Sequence, residues 1–497
     1  MALFVDIRNK WVYNMSIITK VREIIMRKTK IVCTIGPSTD DEQILRELML
    51  GGMNVARFNF SHSSYDEHKR RFEMVDRLRK ELDIPVATLL DTKGPEIRLK
   101  NFKDNKPVEI ADGDEFVLTT REIEGDEKQA SVTFEHLPKD VKTGDAILIN
   151  DGVIELKVKS VRGQDITCEV IHGGTLSDHK GINVPGVKLS MPYISDDDMH
   201  DLEFGAKMRY DFIAASFVRT GADVVYLRKF TQSLGWYDVR IIAKIENMDG
   251  VENIDEILAA SDGVMVARGD MGVEIPFEQI PAIQKDIIHK AYNAGKVVIT
   301  ATQMLESMIN NPRPTRAEIT DVANAIYDGT SAIMLSGETA AGKFPVEAVR
   351  TMALIAETTE KNINYAKRFK MREDTKSESV TEAISHATVT TANDLNAKAI
   401  ITVTKGGGTA RMLSKYRADC PIIGLTTDPT TLRQLSMSWG VIPGLIAEQT
   451  STDDLMTAAI ECALQHGWLS HGDLTVITAG VPLGVSGNTN LIKVETV

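Results

Sequence analysis

Three ionisable side chains follow two apolar runs that lie close together in the chain. Lys244 and Glu246 come directly after the run Ile241–Ala243, and Asp270 follows the run Gly263–Ala267. If these runs are neighbouring parallel strands, one ammonium and two carboxylates meet at the same edge of a sheet. Two carboxylates can hold a divalent metal, and a fixed ammonium can neutralise negative charge that develops in a reaction. A structural ion pair at two strand ends is the alternative, because short charged motifs often arise by chance.

The elements that would position these side chains alternate between short apolar runs and longer amphipathic segments, as expected for strand–helix units. The predicted strands are Ile31–Ile35, Met53–Phe58, Pro85–Leu90, Asp211–Ala215, Val239–Ala243, Gly263–Ala267, Val297–Ala301 and Ala332–Leu335. Helices are predicted among them, for example at Tyr65–Leu82, Asp196–Lys207 and Ile280–Ala294. This count predicts an α/β fold with a closed (β/α)8 TIM barrel, and a doubly wound open sheet is the alternative.

A closed barrel carries its catalytic groups just after the strands, at the carboxyl rim. Polar or glycine residues follow the predicted strands from the second onward. They are Arg57, Asn59, Ser61 and His62, then Asp91, Thr92 and Lys93, then Ser216, then Lys244 and Glu246, then Arg268, Gly269 and Asp270, then Thr302 and Gln303, and finally Ser336, Gly337 and Glu338. One polar strand end carries little information, because loops are usually polar, but this repetition predicts an active site at the rim.

The region after the third predicted strand has a different pattern of apolar and polar residues. Short alternating stretches are separated by turn pairs such as Asp112-Gly113, and no long helical period appears. We interpret this region as an all-β domain inserted into the barrel, followed later by a C-terminal open α/β domain after a charged linker at 366–378. The predicted domains are residues 26–93 and 193–365 for the barrel, 94–192 for the insert and 366–497 for the C-terminal domain.

A glycine-rich loop links a predicted strand to a predicted helix in the C-terminal domain. The loop consists of Thr404, Lys405, Gly406, Gly407, Gly408 and Thr409. Backbone amides at such a turn, together with a helix N-terminus, suit a phosphate group. A plain glycine-rich turn is the alternative, since the motif by itself is weak.

Composition limits the classes of partner. The chain has 497 residues and a net charge of −13, which disfavours nucleic acid as a main partner. Its four cysteines are scattered without a CxxC motif, which fits a reducing compartment and a cytoplasmic location. No apolar run approaches the length that spans a bilayer, so no membrane partner is expected.

The first 25 residues mix apolar and charged side chains without the apolar core of a signal peptide. An amphipathic arm is one interpretation. We favour the other, an artefact of the chosen start codon, because the sequence from Met26 resembles a natural beginning.

Seven long motifs together resemble those of the pyruvate kinase family. They are Thr34–Ser38, Arg57–His62, Asp91–Arg98, Ile241–Val251, Met265–Asp270, Thr300–Leu305 and Asn311–Glu318. The match covers about residues 26–497 in the order and spacing of the family, in its bacterial form without an extra C-terminal domain. The resemblance implies a barrel, a β-barrel insert that acts as a lid, and a C-terminal α/β domain.

The resemblance also implies phosphoryl transfer from phosphoenolpyruvate to ADP, which gives pyruvate and ATP. Lys244 would stabilise charge on the phosphoryl group and the enolate, while Glu246 and Asp270 would hold Mg²⁺ or Mn²⁺. Phosphoenolpyruvate would contact Arg57, Gly269, Asp270 and Thr302. The expected K⁺ ligands are Asn59, Ser61, Asp91 and Thr92, with Glu96 as the residue that accompanies K⁺ dependence. Residues expected to serve the nucleotide are Asn59, His62, Arg98 and Lys180.

Regulation and assembly are further expectations from the family. The glycine-rich loop, with Arg411 and the segment 480–489, resembles the sugar-phosphate pocket of the family. Fructose 1,6-bisphosphate is the first expected activator, and ribose 5-phosphate and AMP stay open. The family also leads us to expect a homotetramer.

Two other classes of function compete with this interpretation. A metal-dependent lyase or aldolase of the barrel class would share the divalent metal and an enolate, but it would not need K⁺ ligands or a nucleotide lid. A catalytically inactive sugar-phosphate sensor would be expected to have lost Lys244, Glu246 or Asp270, and all three are present.

Overall fold

A computed structural model describes residues 27–371, 379–484 and 487–497 of the chain. The interpretation of residues 1–25 therefore lies outside the described residues. So does most of the second half of the predicted linker.

Eight parallel strands form a closed barrel. The strands are Lys30–Thr34, Val55–Asn59, Ala87–Asp91, Phe212–Ala215, Arg240–Ile245, Gly263–Ala267, Val297–Ala301 and Ala332–Leu335. The first strand pairs with the second on one side and with the eighth on the other. This closure confirms the predicted TIM barrel and excludes the doubly wound open sheet.

The fifth strand differs from its prediction in one respect that matters for the site. It extends two residues past Ala243, so Lys244 lies inside the ladder, opposite Met265 of the sixth strand. The charged side chain does not end the strand, because its charge is compensated by acidic groups at the mouth of the barrel.

Helices surround the barrel and connect its strands. The longer ones are Glu42–Gly51, Tyr65–Glu81, Asp196–Met208, Gly221–Ser233, Ile254–Ala260, Ile280–Ala294, Arg316–Asp328 and Pro345–Lys361. Local sequence fixes their ends. The hydroxyl of Ser64 and the carboxylate of Glu67 form a reciprocal capping box at the start of the second helix. Gly295 ends the helix Ile280–Ala294 with φ +69°, a left-handed conformation that glycine adopts without steric cost.

The inserted domain is built almost entirely from short strands. They are Ile97–Arg98, Val108–Ile110, Glu115–Thr119, Gln129–Ser131, Ala146–Ile149, Ile154–Arg162, Asp165–His172, Gly174–Leu176 and Gly181–Asn183. Seven of them form one sheet, and an isolated antiparallel bridge between Leu99 and Val132 brings its two edges together. The domain has its own buried apolar cluster, so it packs as a separate unit on the barrel.

The C-terminal domain is an open five-stranded sheet covered by helices. Its strands are Ala399–Val403, Ile422–Thr426, Val441–Leu445, Leu474–Gly480 and Thr489–Thr496, and the last is antiparallel to its neighbour. Its helices are Val380–Asp394, Gly408–Lys415, Pro429–Leu435 and Thr452–Gln465. The start of the predicted linker is not extended chain, because Tyr365–Lys370 forms a short helix whose Phe369 packs against the core of this domain.

The C-terminal domain closes the end of the barrel opposite the carboxyl rim. The guanidinium of Arg433 lies 2.8 Å from the carboxylate of Asp211, which directly precedes the fourth barrel strand. Met437 is fully buried and packs with the side chains that fill the interior of the barrel. Within the described residues, no helix is both long and apolar enough to cross a membrane.

Candidate active site

Lys244 is the centre of a buried charge cluster at the carboxyl rim. Its ammonium donates to the hydroxyl of Ser216 at 2.7 Å and lies 2.8 Å from a carboxylate oxygen of Glu246. An oxygen of Asp91 is 3.2 Å away. Burial alone would lower the pKa of Lys244, but the attraction of Asp91, and then of Glu246 and Asp270, raises it above the ordinary value. The side chain therefore keeps its positive charge throughout the physiological pH range.

Asp91 joins Lys244 to Arg57. One oxygen of its carboxylate accepts from Nε of Arg57 at 2.5 Å, and the hydroxyl of Thr34 accepts from Nη1 of the same guanidinium at 2.9 Å. Asp91 is fully buried, which by itself would raise its pKa. The nearby charges of Arg57 and Lys244 outweigh this effect and hold the pKa below its usual range, so the carboxylate stays ionised.

The two carboxylate oxygens of Glu246 contact a backbone amide and the ammonium of Lys244. The oxygen Oε2 accepts from the backbone amide of Phe217 at 2.6 Å. The other oxygen, Oε1, is buried and faces the charge of Lys244 without an aligned hydrogen-bond donor. Burial raises the pKa of the carboxyl to about 8, and the nearby charge of Asp270 acts in the same direction. The ionised form of Glu246 therefore needs more positive charge than Lys244 supplies.

A divalent cation held between Glu246 and Asp270 would supply this additional positive charge. No group of three or more histidine, cysteine, aspartate or glutamate residues that could hold a metal occurs in the described part of the chain. Two carboxylates are nevertheless enough for Mg²⁺, which usually takes its other ligands from substrate phosphates and water. The donor set is made of hard oxygen atoms, as Mg²⁺ and Mn²⁺ prefer.

Thr302 follows the seventh strand in a strained conformation. Its φ is +67°, a value that β-branched residues rarely adopt. The guanidinium of Arg268 holds this turn by donating to the carbonyl of Thr302 at 2.6 Å and pairing with Asp321 at 2.7 Å. The hydroxyl of Thr302 accepts from the amide of Gly269 at 2.8 Å. Two of the predicted substrate-binding residues are thus in contact, beside the segment that carries Asp270.

The predicted K⁺ ligands lie at or just after the ends of the second and third barrel strands. Asn59 and Asp91 are directly paired at the ends of the second and third strands. The side-chain oxygen of Asn59 accepts from the amide of Ser61 at 3.2 Å, and the carbonyl of Thr92 accepts from Ser216 at 2.7 Å. Backbone pairing thus places Asn59 and Asp91 side by side at the rim, with Ser61 and Thr92 one or two residues further along the chain.

The predicted nucleotide residues lie on two sides of the cleft. Asn59 and His62 belong to the barrel rim, whereas Arg98 and Lys180 belong to the insert, where Arg98 pairs with Gly181 across two strands. The guanidinium of Arg98 donates to the carboxylate of Glu96 and, at 2.9 Å, to the carbonyl of His179. Arg98 and Lys180 therefore belong to neighbouring backbone segments of the insert.

The glycine-rich loop lies far from this cluster, on the C-terminal domain. It connects the strand Ala399–Val403 to the helix Gly408–Lys415, as predicted. Gly407 has φ +77°, and no atom would lie within 4 Å of a Cβ added at Gly406 or Gly408. The hydroxyls of Thr409 and Thr489 are 2.6 Å apart. Lys405, Gly406 and Gly408 are thus exposed before the start of a helix, whereas Thr404, Gly407 and Thr409 are buried.

Comparison with known proteins decides the family. The family model for the barrel domain of pyruvate kinase matches residues 26–349, and the model for its alpha/beta domain matches residues 382–495. The chain belongs to the pyruvate kinase family. Pyruvate kinases are enzymes that transfer a phosphoryl group, so the chain is an enzyme of this class.

Individual pyruvate kinases resemble the chain over nearly its whole length. The pyruvate kinase of Clostridium perfringens is 49% identical over 475 residues, which cover 95% of this chain and 100% of the relative. A pyruvate kinase of Staphylococcus aureus is 49% identical over 95% of this chain and 81% of its own length. Among solved structures, a pyruvate kinase from Cryptosporidium parvum has a TM-score of 0.90 at 40% identity, covering 95% of this chain and 97% of that one.

Sequence reasoning misses the role of the loop after the fourth strand. Ser216 stands among the polar strand ends, but only the fold shows that it bridges Lys244 to the carbonyl of Thr92. Phe217 and Arg219 carry no signal in the sequence. No feature of residue type or spacing marks them, because their partners are distant in the chain and come into reach only in the folded barrel.

Proposed function

We propose that this chain transfers the phosphoryl group of phosphoenolpyruvate to ADP at the carboxyl rim of the barrel. The observation that carries the proposal is the buried cluster of Lys244, Glu246 and Asp91, beside Asp270. Both substrates are polyanions, and phosphoryl transfer depends mainly on positioning and on neutralising charge. A fixed, permanently charged ammonium in a buried site meets that requirement.

Lys244 is proposed to act on the oxygen atoms where negative charge develops. Its ammonium is already oriented by Ser216 and Asp91, so little reorganisation is needed when charge moves from the phosphoryl group to the enolate oxygen. The ion pair of Arg57 with Asp91 fixes that guanidinium at the rim, where it would contact the phosphate of phosphoenolpyruvate. Arg57 thus binds and orients the substrate, while Lys244 stabilises the charge that the reaction creates.

The carboxylate of phosphoenolpyruvate is assigned to the turn that contains Gly269, Asp270 and Thr302. This assignment is supported by the contact of Gly269 with Thr302, and by the strained φ of Thr302 that Arg268 maintains. Strain that the surrounding structure holds in place is typical of functional sites. Substrate would take over the amide of Gly269 from the hydroxyl of Thr302.

Glu246 and Asp270 are proposed to hold Mg²⁺ or Mn²⁺. When bound, such a cation polarises phosphoryl oxygens and screens the repulsion between anionic substrates. The buried oxygen Oε1 of Glu246, which lacks an aligned hydrogen-bond donor, and the raised pKa of the carboxyl support this assignment. The K⁺ ligands are assigned to Asn59, Ser61, Asp91 and Thr92, and the pairing of Asn59 with Asp91 at the rim supports this assignment.

The insert is proposed to close over the nucleotide. Arg98 and Lys180 would approach the phosphates of ADP from the insert, while Asn59 and His62 face them from the barrel. Closure would exclude water, which otherwise competes with ADP for the phosphoryl group. The ion pair of Arg98 with Glu96 orients this guanidinium before the nucleotide arrives.

The experiment that tests the function is pyruvate formation from phosphoenolpyruvate and ADP with Mg²⁺. We expect K⁺ to raise the turnover of the wild type by on the order of tenfold or more, because the site neutralises charge with cations. Tetramethylammonium at equal ionic strength is the control, since it screens charge equally but is too large to replace K⁺ among the proposed ligands. Turnover that is equal in both salts would contradict the K⁺ site, and no turnover at all would contradict the kinase assignment.

Regulation by a sugar phosphate is proposed for the glycine-rich loop, with fructose 1,6-bisphosphate as the first candidate. The open space at Gly406 and Gly408 and the adjoining helix N-terminus support a phosphate site. A homotetramer and a cytoplasmic location are the corresponding expectations from the family.

Saturation curves for phosphoenolpyruvate test this regulation. Fructose 1,6-bisphosphate is expected to lower the half-saturating concentration by about fivefold or more, the usual range of allosteric coupling. Lys405→Met should abolish the shift, because it removes a cation from the loop, whereas Lys398→Met, an exposed lysine of the same domain, should keep it. Curves that respond to none of fructose 1,6-bisphosphate, ribose 5-phosphate and AMP would contradict the proposal.

A further inference from the structure

One short loop contacts both the catalytic cluster and the two connections between the barrel and the insert. We call residues 216–219, which follow the fourth barrel strand, the fourth loop. The insert leaves the barrel through residues 93–95, the first crossing, and the chain returns through residues 189–191, the second crossing. A loop that contacts all three regions is in a position to couple them.

The fourth loop holds two members of the catalytic cluster. The hydroxyl of Ser216 accepts from the ammonium of Lys244 at 2.7 Å. The backbone amide of Phe217 donates to Glu246 at 2.6 Å. Phe217 has φ +52°, which is unusual for an aromatic residue and shows that the surroundings determine the path of the loop. A shift of this loop would therefore move Lys244 and Glu246.

The first crossing packs directly on the same loop. Gly94 has φ +78°, and a Cβ added there would lie 2.8 Å from Cβ of Ser216 and 2.9 Å from Cδ2 of Phe217. The amide of Gly94 is also held, at 3.1 Å, by the carboxylate of Asp198. Only glycine fits this position, so the crossing and the loop are in close contact.

The second crossing is held by Arg219. Its Nη1 donates to the carbonyl of Leu189 at 3.2 Å and to the carbonyl of Met191 at 3.3 Å, and Nη2 also donates to Met191 at 3.3 Å. The backbone of Arg219 is fixed as well, because its amide donates to Asp223 at 3.0 Å and its carbonyl accepts from Asn253 at 2.9 Å. Arg219 is thus anchored to the barrel while its guanidinium binds the returning chain of the insert.

We propose that Arg219 is a positioning residue that couples closure of the insert to the geometry of Lys244 and Glu246. The planar guanidinium holds two carbonyls of the second crossing at once, while Gly94 fixes the first crossing against the other end of the fourth loop. The insert is thereby tied to the loop at two points, and movement of the insert reaches the residues that hold the catalytic groups. This inference rests on the proposed kinase function.

The test compares Arg219→Met with Arg228→Met. Arg228 is a matched control, because it lies on the helix that follows the fourth loop, pairs with Asp262 at 2.9 Å and donates to the carbonyl of Ala260 at 3.1 Å, away from the insert. Arg219→Met is expected to lower kcat by about tenfold or more and to raise the KM for ADP by a similar factor. The dissociation constant for phosphoenolpyruvate should stay within about twofold of that of the wild type, since the substrate contacts on the barrel remain.

The ratio of ATP to pyruvate gives a readout that a merely structural defect would not change. If the insert closes poorly, water attacks the phosphoryl group, the bond from phosphorus to the enol oxygen breaks, and pyruvate and inorganic phosphate form without ATP. Arg219→Met is therefore expected to form less than one ATP per pyruvate, whereas Arg228→Met should form one. Arg219→Lys should lie between them, because lysine keeps the charge but cannot bind both carbonyls as a fork.

Gly94→Ala tests the same coupling from the first crossing and is expected to lower the ratio too. If Arg219→Met does not fold, this variant still decides the inference. An ATP-to-pyruvate ratio of one in Arg219→Met, or in Gly94→Ala when the arginine variant does not fold, would overturn it. Absence of kinase turnover in the wild type would instead contradict the proposed function, so the two failures are distinguishable.

Discussion

Lys244→Met should lower the turnover of phosphoenolpyruvate and ADP by about 10³-fold, because it removes a preorganised charge from the place where negative charge develops. Methionine has a similar length and shape, so the packing of the rim should survive. Asp91 keeps its ion pair with Arg57, and therefore one buried carboxylate stays compensated. The loss should appear in kcat, since Lys244 acts on charge that exists fully only in the transition state.

The measurement is steady-state kinetics with saturating Mg²⁺ and K⁺, together with circular dichroism to verify the fold. Lys290→Met is the matched control, because Lys290 forms an ion pair with Asp255 at 3.1 Å on an outer helix, away from the rim. That variant should retain the activity of the wild type, since exposed ion pairs contribute little. If kcat of the Lys244 variant fell by less than about tenfold, the charge-stabilising role of Lys244 would be wrong.

Glu246→Gln is expected to weaken binding of the divalent cation by about 100-fold, because one of the two charged ligands becomes neutral. The amide oxygen of glutamine can still accept from the backbone of Phe217, so the fourth loop should keep its position. Turnover should fall as cation binding weakens, and a large excess of Mg²⁺ should restore part of the activity. This recovery distinguishes loss of a ligand from loss of the fold.

Binding of Mn²⁺, followed by electron paramagnetic resonance in the presence of phosphoenolpyruvate, measures this effect without relying on activity. Glu256→Gln is the control, since that carboxylate also accepts from a backbone amide, that of Gly221, at 2.8 Å. Its affinity for Mn²⁺ should equal that of the wild type. Equal affinity in the Glu246 variant would remove this residue from the metal site.

The wild type and Glu246→Gln should also differ in the number of protons that are released when a divalent cation binds. Because burial raises the pKa of the Glu246 carboxyl to about 8, a large fraction of it carries a proton at pH 7, and binding of a cation must displace that proton. Calorimetry in buffers of different ionisation enthalpy should therefore detect proton release in the wild type and much less in the glutamine variant. For the wild type, cation affinity should rise with pH up to about 8 and level off above it.

The strands are the most predictable part of the fold. The bounds of Gly263–Ala267, Val297–Ala301 and Ala332–Leu335 are the same in the sequence prediction and in the structure. Barrel strands are buried on both faces, so they appear as unbroken apolar runs, and the following polar residues mark their ends. The fifth strand is predicted too short because Lys244 interrupts its apolar run, although the charge is compensated within the barrel.

Which residue types stand at each strand end, and therefore which groups reach the rim, can be read directly from the amino-acid sequence. Periodicity of two or 3.6 residues shows which face of an element is buried, and the count of strand–helix units shows that the sheet can close. These properties are local, and for this reason the chain alone is enough to single out Lys244, Glu246 and Asp270 as candidates, whereas the proposed K⁺ ligands rest on the resemblance to the family.

The partners that these groups contact depend on how the whole chain folds. Asp91 is more than a hundred residues from Lys244 in sequence, and Gly94 is more than a hundred from Phe217, yet each pair is in contact in the barrel. Periodicity specifies a face and not a partner across the fold, so neither contact can be read from the sequence. The ionisation of Glu246, the strained turn at Thr302 and the contact of Arg219 with the insert all follow from such long-range contacts.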